Sequence, residues 1–589
     1  MKSNKKALPK QTAVPSAQAK EIPAGFAQWR TPLAVLGLLF VLFQVYGPAL
    51  NGPFVFDDRY LPFAVPGLAE KASLLEWVRG NRPLLMLTYW LNYKASGDDP
   101  YYFKVVNILL HFATSYLVMM SVRGVIRKTI ADPNMVKWMS WFAGALFLLH
   151  PLQSETVGYV ASRSDGLSVF FFFAAFVLFV YRLYDEIQGF DVLVVLIPFG
   201  AACLSKEHAA ILPALLILTD YYFTSPYSWS GAWRNWRLYA PIFILGGIGV
   251  AAIYYFVLSR SDSAGFGMRD ITWYQYFFTQ CRALWFYMLL FVLPAGQNVD
   301  YDFPISRTIF DNGAIGFLAG LLVLVFLAWR YRKEYPLASY GFFAFLILMA
   351  PTSSFVPIKD PFVERRIYLS MFGLLLVAIE FLRRLKLSKP VLGAALGTIL
   401  VVYSAAAWNR NHVWGSAVAL WSDTVAKSPN KARPHMQLAY ALQYEAGNCQ
   451  GAVSQYALSA KIEPPDYRAL VDAALASDCA GDTTSAIDLL KKAAAMEHSA
   501  HAYSQLGMMF AKAKRTSEAL NALSEAERLD AGFDMTYAYR GNIFLTMEDR
   551  PQAIEQYQKA LAINKTNEVA KNGLAQAQAP PSKPKPAAK

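Results

Sequence analysis

The pattern of apolar residues divides this chain of 589 residues into two unlike regions. Between residues 31 and about 408, apolar runs rich in Phe, Leu and Tyr follow one another closely. Several of them, such as 33–50 and 238–258, approach or reach the length of about 20 residues that a helix needs to cross a bilayer. From about residue 416 to 570 the sequence is rich in alanine and repeats with a period of roughly 34 residues. We therefore predict an all-α protein with a membrane domain followed by a repeat domain.

The composition supports a membrane protein and bears on the choice of partners. Hydrophobic residues make up 55% of the chain and charged residues only 16%, below the roughly 25% of soluble domains. Much of the net charge of +13 comes from the N-terminal tail and from short loops between the apolar runs. This distribution is typical of the cytoplasmic side of membrane proteins. We expect a lipid bilayer as a partner, and no nucleic acid.

The N-terminal segment 1–30 is predicted to be a basic cytosolic tail. The apolar run that follows it has the length of a membrane span and no small-residue cleavage site after it. Both features argue against a cleaved signal peptide. We expect the first helix to be a permanent anchor with the N-terminus in the cytoplasm.

Charge and parity predict about eleven membrane spans. They are 31–50, 102–122, 136–150, 166–184, 191–205, 209–223, 238–258, 312–329, 337–350, 367–382 and 391–408. With the N-terminus inside, the basic clusters near 123–128, 234–237, 330–333 and 383–389 all fall on the cytoplasmic side. The repeat domain then lies outside, in a compartment such as a periplasm.

The apolar segment 273–294 is the one that strains this count. It contains Gln275, Gln280 and Arg282, and a crossing there would move the clusters at 330–333 and 383–389 to the outside. We interpret it as a re-entrant or surface-lying hairpin, partly embedded on the outer side, because non-helical backbone at that depth must be covered by protein or face a cavity.

The repeats carry the spacing of small and aromatic residues that defines tetratricopeptide (TPR) repeats. The clearest copies hold Tyr503, Leu506, Gly507, Phe510, Ala519, Leu523 and Ala526, then Tyr537, Gly541, Phe544, Ala553, Tyr557 and Ala560. A helix around Trp421, ended by Pro429, is predicted as a capping half repeat. We predict an α-solenoid of about four repeats over 411–570, whose concave face binds an acceptor or partner protein. A spacer or dimerisation module is the alternative, and 571–589 is predicted to be disordered.

Two adjacent carboxylates follow the first predicted span. Asp57 and Asp58 lie in the sequence Asn-Gly-Pro-Phe-Val-Phe-Asp-Asp-Arg-Tyr, on the predicted outer side. Adjacent carboxylates can act as a general base and as a metal or sugar ligand. A turn or helix cap is the more common role of two adjacent Asp, and it remains open here.

Further charged residues gather at the outer edges of predicted spans, where they are costly and therefore functional candidates. They are His150, Glu155, Arg163 and Asp165 between the third and fourth spans, Lys206 and Glu207 between the fifth and sixth, and Glu364, Arg365 and Arg366, which lead into the tenth together with the uncharged Tyr368. A structural ion-pair cluster is the alternative for the first group, and mutual neutralisation for the second. The third group is basic against the charge rule, and paired Arg suit phosphate because the guanidinium binds its oxygens in pairs.

Together these residues predict a cavity at the outer leaflet, with carboxylates on one side and phosphate-binding cations on the other. Transfer of a group from a lipid-linked phosphate needs both. A base activates the acceptor hydroxyl, and positive charge stabilises the leaving phosphate.

Four motifs in this order, followed by the repeats, resemble the transmembrane and tetratricopeptide-repeat (TMTC) protein O-mannosyltransferases, within the GT-C glycosyltransferases. The motifs are Phe56-Asp57-Asp58, the segment 150–157 with Arg163-Ser-Asp165, Leu204-Ser-Lys206-Glu207, and Glu364-Arg365-Arg366-Ile-Tyr368-Leu. The resemblance extends over about residues 30–570.

The resemblance implies a GT-C-like domain over 31–410 that transfers a monosaccharide, with inversion, from a polyprenyl-phosphate donor to a hydroxyl on the outer side. The acceptor is expected to be protein Ser or Thr. Asp57 and Asp58 are implied as base or as ligands of a divalent cation. The other candidates, with Arg282, are predicted from their residue types and outward positions to bind the donor phosphate or sugar. Few repeats and no lumenal retention signal favour a bacterial inner-membrane protein with periplasmic repeats.

Two other functions agree with part of the sequence. One is transfer to a lipid or glycan, with the repeats as a docking module. The other is a non-catalytic membrane scaffold or a transporter. A scaffold needs no polar clusters gathered at one face, and a transporter should carry charge near the bilayer middle rather than at span edges.

The cysteines allow one disulfide bond. Cys449 and Cys479 lie at edges of adjacent repeats, and bonding requires Cα atoms within about 7 Å. Two unpaired thiols, buried as small apolar side chains, are the interpretation that we favour from the sequence. Cys203 and Cys281 lie in apolar segments, and no zinc-binding spacing appears.

Overall fold

The computed structural model describes residues 30–65, 68–182, 187, 189–253 and 264–579. Within these ranges the chain consists of α-helices, short 3₁₀ turns and loops, with no β-strand beyond the single bridge between Ala264 and Ile358. The predicted all-α fold is confirmed for this part of the chain. The predicted cytosolic tail lies outside the described residues, except for Arg30, which begins the first helix.

The N-terminal domain is a bundle of apolar helices. Its longer helices are Arg30–Leu50, Pro83–Ser96, Pro100–Ile126, Pro133–Leu149, Arg163–Arg182, Gly189–Cys203, Leu212–Thr219, Trp236–Ile253, Trp273–Val292, Ala314–Arg330, Pro336–Met349, Ile367–Leu382 and Lys389–Val413. Each predicted span overlaps one of these helices. By length and composition, four helices of the described chain can cross a bilayer: Pro100–Ile126, Val160–Arg182, Asp311–Arg330 and Lys389–Val413. The number of about eleven spans stays a prediction.

The centre of the bundle is held together by aromatic contacts and by one close helix crossing. Gly341 and Gly373 face each other where their helices cross, and a Cβ on either would clash with the backbone of the other helix. Small residues permit such an approach, which maximises van der Waals contact. Phe372 joins this pair to helix Arg163–Arg182, because its ring centroid lies 5.4 Å from those of Phe173 and Phe176.

The two ends of the bundle differ in chemistry. At one end the loops after residues 50, 149, 203 and 349 come together around a polar cavity. At the other end the basic clusters meet. Tyr227 Oη donates a hydrogen bond of 2.8 Å to the Arg332 carbonyl, and Arg384 donates to the Glu334 carbonyl. This separation agrees with the predicted alternation of spans, in which basic loops share one side.

The segment predicted as a hairpin is one continuous helix, Trp273–Val292. The hairpin prediction is wrong because the segment contains no Pro or Gly before Pro294 at its end, and a capping box of Thr272 and Gln275 begins it as a helix. Both of its ends contact the polar end of the bundle. Tyr276 Oη donates to the Thr352 carbonyl at 2.6 Å, and His150 Nε2 donates to the Phe291 carbonyl at 3.0 Å. The helix therefore lies across this end instead of passing through the bundle.

The C-terminal domain is a stack of antiparallel helix pairs. After the single helix Ala417–Lys427, the pairs are Ala432–Tyr444 with Cys449–Ile462, Tyr467–Cys479 with Thr483–Met496, Ala500–Lys512 with Thr516–Leu529, and Asp534–Thr546 with Arg550–Ile563. The predicted half repeat and the four repeats are present. Gly507 and Gly541 stand where Leu523 and Tyr557 pack against the first helix of their pairs, so a larger residue would separate the helices.

The chain continues as a helix beyond the predicted end of the repeats. Glu568–Gln578 is helical, with Asn567 as its N-cap. Ala570 and Ala577 are buried, and Gly573 lies against Tyr557. Disorder was predicted from residue 571, and this is wrong up to residue 579, because the alanine-rich face covers the apolar edge of the last repeat. Residues 580–589 lie outside the described residues.

Cys449 and Cys479 form a disulfide bond, with their Cα atoms 5.6 Å apart. The favoured prediction of unpaired thiols is wrong because stacking places the end of helix Tyr467–Cys479 beside the start of helix Cys449–Ile462. Gln450 Nε2 also donates to the Ala480 carbonyl across this junction, at 3.3 Å. Cys203 and Cys281 are free thiols.

Candidate functional site

A cavity of about 600 Å³ opens at the polar end of the bundle. Its wall combines the loop after the first helix, the segment 159–165, the segment 206–208 and the segment 351–366. Its charged lining residues are Asp57, Arg82, Asp165, Lys206, Glu207, Asp360, Arg365 and Arg366. All four motifs of the sequence therefore contribute to one cavity, although several of their residues point elsewhere.

Asp57 faces the cavity and is exposed. The chain turns at Phe56, whose φ of 48° is uncommon for a residue with a side chain, and enters the 3₁₀ turn Phe56–Tyr60. The N–H of Asp57 donates to Tyr159 Oη at 3.0 Å. Its carboxylate has no hydrogen bond or ion pair to any described residue. The Asp57 carboxylate is therefore free to contact a ligand in the cavity.

Asp58 points away from the cavity and is fully buried. Its carboxylate accepts hydrogen bonds from the N–H groups of Val55, at 3.2 Å, and Ala161, at 2.6 Å. Burial raises the pKa of Asp58 to about 7, although these hydrogen bonds and the Lys104 ammonium act in the opposite direction. Asp58 thus ties the first loop to the segment before helix Arg163–Arg182. The two aspartates, equal candidates in the sequence, have different roles, and Asp58 is not at the reacting surface.

Two ion pairs line one side of the cavity. Lys206 Nζ lies 2.6 Å from Asp165 Oδ2. Arg82 binds Glu207 with two hydrogen bonds of 3.0 and 2.9 Å. Mutual neutralisation of Lys206 and Glu207 is therefore wrong, since each has another partner. Arg82 was missed in the sequence because it stands alone before a Pro at a helix start, outside every polar cluster.

Arg365 and Arg366 both line the cavity, but only one of them is neutralised. Arg365 Nη1 lies 2.5 Å from Oε1 of Glu155, whose side chain is 1% exposed behind the wall. Arg366 donates to the carbonyls of Pro361 and Asp360 and to Tyr276 Oη, at 2.6 to 3.2 Å. No carboxylate of the described chain lies within ion-pair distance of Arg366. Arg366 is therefore the lining cation with charge left for an anionic ligand.

Two of the predicted ligands are buried in structural contacts outside the cavity. His150 Nδ1 accepts from the Leu152 N–H at 3.2 Å, and its ring stacks on Phe291. Arg163 is 1% exposed, and its guanidinium donates to the side chains of Asn107 and Asn92 at 2.7 and 2.8 Å. Neither side chain lines the cavity, because polar groups of neighbouring segments use their hydrogen-bonding atoms.

Three other predicted ligands also lie outside the cavity lining. Tyr368 Oη lies 2.9 Å from His111 Nδ1 inside the bundle. Arg282 Nη1 donates to the Pro304 carbonyl at 2.7 Å, and its guanidinium lies over Phe303. Glu364 is 1% exposed and accepts hydrogen bonds from the loop 297–301. Burial raises the pKa of Glu364. These residues support the walls of the cavity without facing it.

A divalent cation finds no ready site in the described residues. No group of three or more His, Cys, Asp and Glu stands in an arrangement that could hold a metal ion. Asp57 and Asp58 do not form one site, because Asp57 lines the cavity whereas the Asp58 carboxylate is fully buried against the Val55 and Ala161 N–H groups. The prediction of a shared metal site is not supported, and we derive no step through a metal.

Comparison with known proteins identifies relatives of this arrangement. No protein-family model matches the chain. A Caenorhabditis elegans protein O-mannosyl-transferase is 23% identical over 445 residues, which cover 71% of this chain and 61% of the relative. Human protein O-mannosyl-transferase TMTC1 is 23% identical over 505 residues, which cover 72% of this chain and 54% of the relative. The curated homologues of the chain are TMTC-family protein O-mannosyltransferases. The family resemblance predicted from the motifs is confirmed.

The matches cover only part of the length of each relative. The chain spans 54 to 61% of the length of the relatives named above. Among solved structures, YrrB, a TPR protein with an unusual peptide-binding site, matches at 15% identity and a TM-score of 0.23, covering 30% of this chain and 88% of that chain. The roles of individual cavity residues rest on the geometry described above.

Proposed function

We propose that this protein transfers a monosaccharide from a polyprenyl-phosphate donor to a hydroxyl group of a protein. The observation that carries the proposal is that one cavity is lined by a carboxylate and by a guanidinium that form no ion pair within the described chain. Within the described chain, the Asp57 carboxylate accepts no hydrogen bond, and the Arg366 guanidinium forms no ion pair with a carboxylate. The similarity to protein O-mannosyltransferases over 71 to 72% of the chain supports the same reaction class.

In the proposed reaction, Asp57 accepts the proton of the acceptor hydroxyl. The hydroxyl oxygen attacks the anomeric carbon of the sugar and forms the new glycosidic bond. The bond between that carbon and the phosphate oxygen breaks, and its electron pair leaves with the lipid phosphate. Arg366 stabilises the phosphate, with Arg365 beside it, and attack from the opposite face inverts the anomeric centre.

The repeat domain is proposed to lie outside the cytoplasm, on the side of the cavity. The disulfide between Cys449 and Cys479 supports this, since such bonds persist in oxidising compartments. The basic clusters at the opposite end of the bundle support the same orientation. A bacterial inner membrane, with periplasmic repeats, is the location that we propose.

The decisive experiment measures transfer from polyprenyl-phosphate sugars to a hydroxyl acceptor, using the purified protein in lipid. Asp57→Asn should lower the rate by about 10²–10⁴-fold, because it removes the base. Arg366→Ala should weaken donor binding, and Arg365→Ala should weaken it less, since Glu155 already neutralises that arginine. Arg332→Ala, at the opposite end of the bundle, is the matched control. Full activity of Asp57→Asn would refute the proposed base.

The same assay separates the acceptor classes. Ser- or Thr-containing proteins, lipids and glycans are offered in parallel. Transfer to protein supports the proposal, and transfer to a lipid or glycan alone would replace it with the docking-module alternative.

A further inference from the structure

The first helices of the repeat domain cover the Asp57 loop. The ring centroids of Phe56 and Trp421 are 4.6 Å apart. The guanidinium carbon of Arg59 lies 4.3 Å from the centre of the Tyr440 ring. A residue with φ of 48°, such as Phe56, keeps that conformation only where surrounding contacts impose it. The repeat domain supplies part of the contacts that hold Phe56, and so helps to fix the position of the adjacent proposed base, Asp57.

The same helices hold the loop 297–302 of the membrane domain. Asp300, whose side chain is 2% exposed, receives two hydrogen bonds of 2.6 Å from Arg433 and one from Lys431. Ser428 Oγ donates to the Asp300 carbonyl at 2.9 Å. A buried carboxylate bound by two cations is stable only while both remain in place. The position of this loop therefore depends on the first repeat.

The loop 297–302 in turn holds the segment that carries the cavity arginines. Glu364 accepts hydrogen bonds of 2.7 Å from Gln297 Nε2, the Asn298 N–H and Tyr301 Oη. Arg365 and Arg366 follow Glu364 directly in the chain. On the other side of the same segment, Arg433 binds Asp360 at 2.8 Å.

A second, smaller cavity shows how close the repeat domain comes to the base. It measures about 70 Å³ and is lined by Asp57, Tyr159, Asp300, Asp360, Arg365 and Arg433, among others. Asp57 and Arg365 also line the large cavity. Arg433 therefore borders the same space as the proposed base.

From these contacts we infer that the first repeat positions both halves of the proposed active site, with Arg433 as the central positioning residue. The repeat domain then forms part of the wall of the site, in addition to any docking of acceptors. Its catalytic consequence rests on the proposed function, whereas the mechanical coupling of repeat and loops does not.

The first test is hydrogen exchange of the full-length protein in lipid. Arg433→Ala should speed the exchange of amides in 56–61 and 298–302 by about tenfold, since local opening becomes easier when few contacts hold a loop. The matched control is Arg540→Ala, which breaks an ion pair of 2.7 Å between Arg540 of the fourth repeat and Glu527 of the third. Unchanged exchange in both loops of Arg433→Ala would overturn the inference.

The second test uses a hydroxyl acceptor too short to reach the repeats. Arg433→Ala should lower kcat about 10- to 100-fold, since small misplacements of catalytic groups have effects of this size. The KM for the donor should change less than about twofold, because the inference gives Arg433 a role in positioning the catalytic groups and not in binding the donor. Arg433→Lys should recover part of the loss, because it keeps the charge but not the paired hydrogen bonds.

The two tests fail in different ways. If Arg433→Ala transfers sugar to the short acceptor at the normal rate, the repeats only dock acceptors and the inference is wrong. If the unaltered protein transfers no sugar from any polyprenyl-phosphate donor, the proposed function is wrong. The exchange measurement still decides in that case whether the repeat positions the two loops.

Discussion

The ion pairs of the membrane domain and those of the repeat domain differ in how much water reaches them. In the bundle, Glu155 is 1% exposed and Arg365 27% exposed. In the third repeat, Arg515 and Glu518 are 42% and 47% exposed. Each pair joins a glutamate to an arginine, but the partners are 210 residues apart in the first pair and three apart in the second. Water weakens the second pair much more than the first, so removing one partner should be far more destabilising in the bundle than in the repeat.

The largest expected effect tests this difference directly. Arg365→Ala leaves the Glu155 carboxylate buried without a partner, which should lower the free energy of unfolding by about 3–5 kcal/mol. Arg515→Ala should cause no measurable change. The measurement is the unfolding midpoint of the purified protein in detergent. Adding Glu155→Gln to Arg365→Ala should recover much of the loss, and equal midpoints for the two single variants would contradict the comparison.

The next effect concerns the covalent link that only the repeat domain has. Reduction of the Cys449–Cys479 bond should lower the free energy of unfolding of the repeat domain by about 2–4 kcal/mol, because the unfolded chain gains freedom. Melting of the bundle should not shift. Thiol labelling of the denatured protein gives the check: Cys203 and Cys281 label without reductant, and all four label after reduction. Labelling of all four before reduction would exclude the bond.

Glycine contacts give a third, smaller contrast. Gly373→Ala places a Cβ against rigid backbone of the crossing helix, which should lower the free energy of unfolding by about 1–3 kcal/mol. Gly573→Ala meets the ring of Tyr557 from the terminal helix Glu568–Gln578, which can move away from the last repeat as a unit, and should cost less. Gly397→Ala, with open space around its Cβ, is the control for added helix propensity. A larger loss in the repeat variant than in the bundle variant would reverse this ranking.

The last effect, which is small per pH unit but accumulates over the titration range, is a pH dependence present in both domains. Burial raises the pKa of Asp58 to about 7 and that of Asp472 to about 6, from the usual 3.8. Between pH values of about 4 and 7, the unfolded state loses the Asp58 proton while the folded state keeps it. The free energy of unfolding therefore falls as pH rises, by up to about 1.4 kcal/mol per pH unit. For Asp472, the pH range over which the free energy of unfolding falls ends about one unit earlier, at its pKa of about 6.

The unfolding midpoint between pH 4.5 and 8 measures this dependence, with the pH range chosen to cover both windows. Asp58→Asn should flatten the profile more than Asp472→Asn, since its window is wider. A profile unchanged in Asp58→Asn would mean that its carboxylate is ionised in the folded protein.

Much of the fold follows from local patterns. The apolar runs and the small residues at Gly507 and Gly541 predict bundle and repeats, since helix periodicity is a local property of the chain. The hairpin predicted around residue 282 shows the limit of this reasoning. Polar residues in an apolar segment indicated a break, whereas they pair with neighbouring loops along an unbroken helix.

The site was predicted as a set of motifs, and the motifs do share one cavity. What the sequence left open is which side chain of each motif faces it. Asp57 and Asp58 are neighbours with the same chemistry, and their separation depends on the backbone turn at Phe56 and on the N–H groups of Val55 and Ala161.

The sequence by itself determined the all-α fold, the order of the domains, the family resemblance and the motifs that gather around the cavity. Only the tertiary structure decided that Arg163 is a structural residue, that Arg82 joins the cavity, and that Arg433 of the repeat domain reaches the Asp57 loop. The physical reason is that hydrogen-bond partners are set by groups far apart in the chain. A charged side chain remains available to a ligand only where those long-range contacts do not already pair with it.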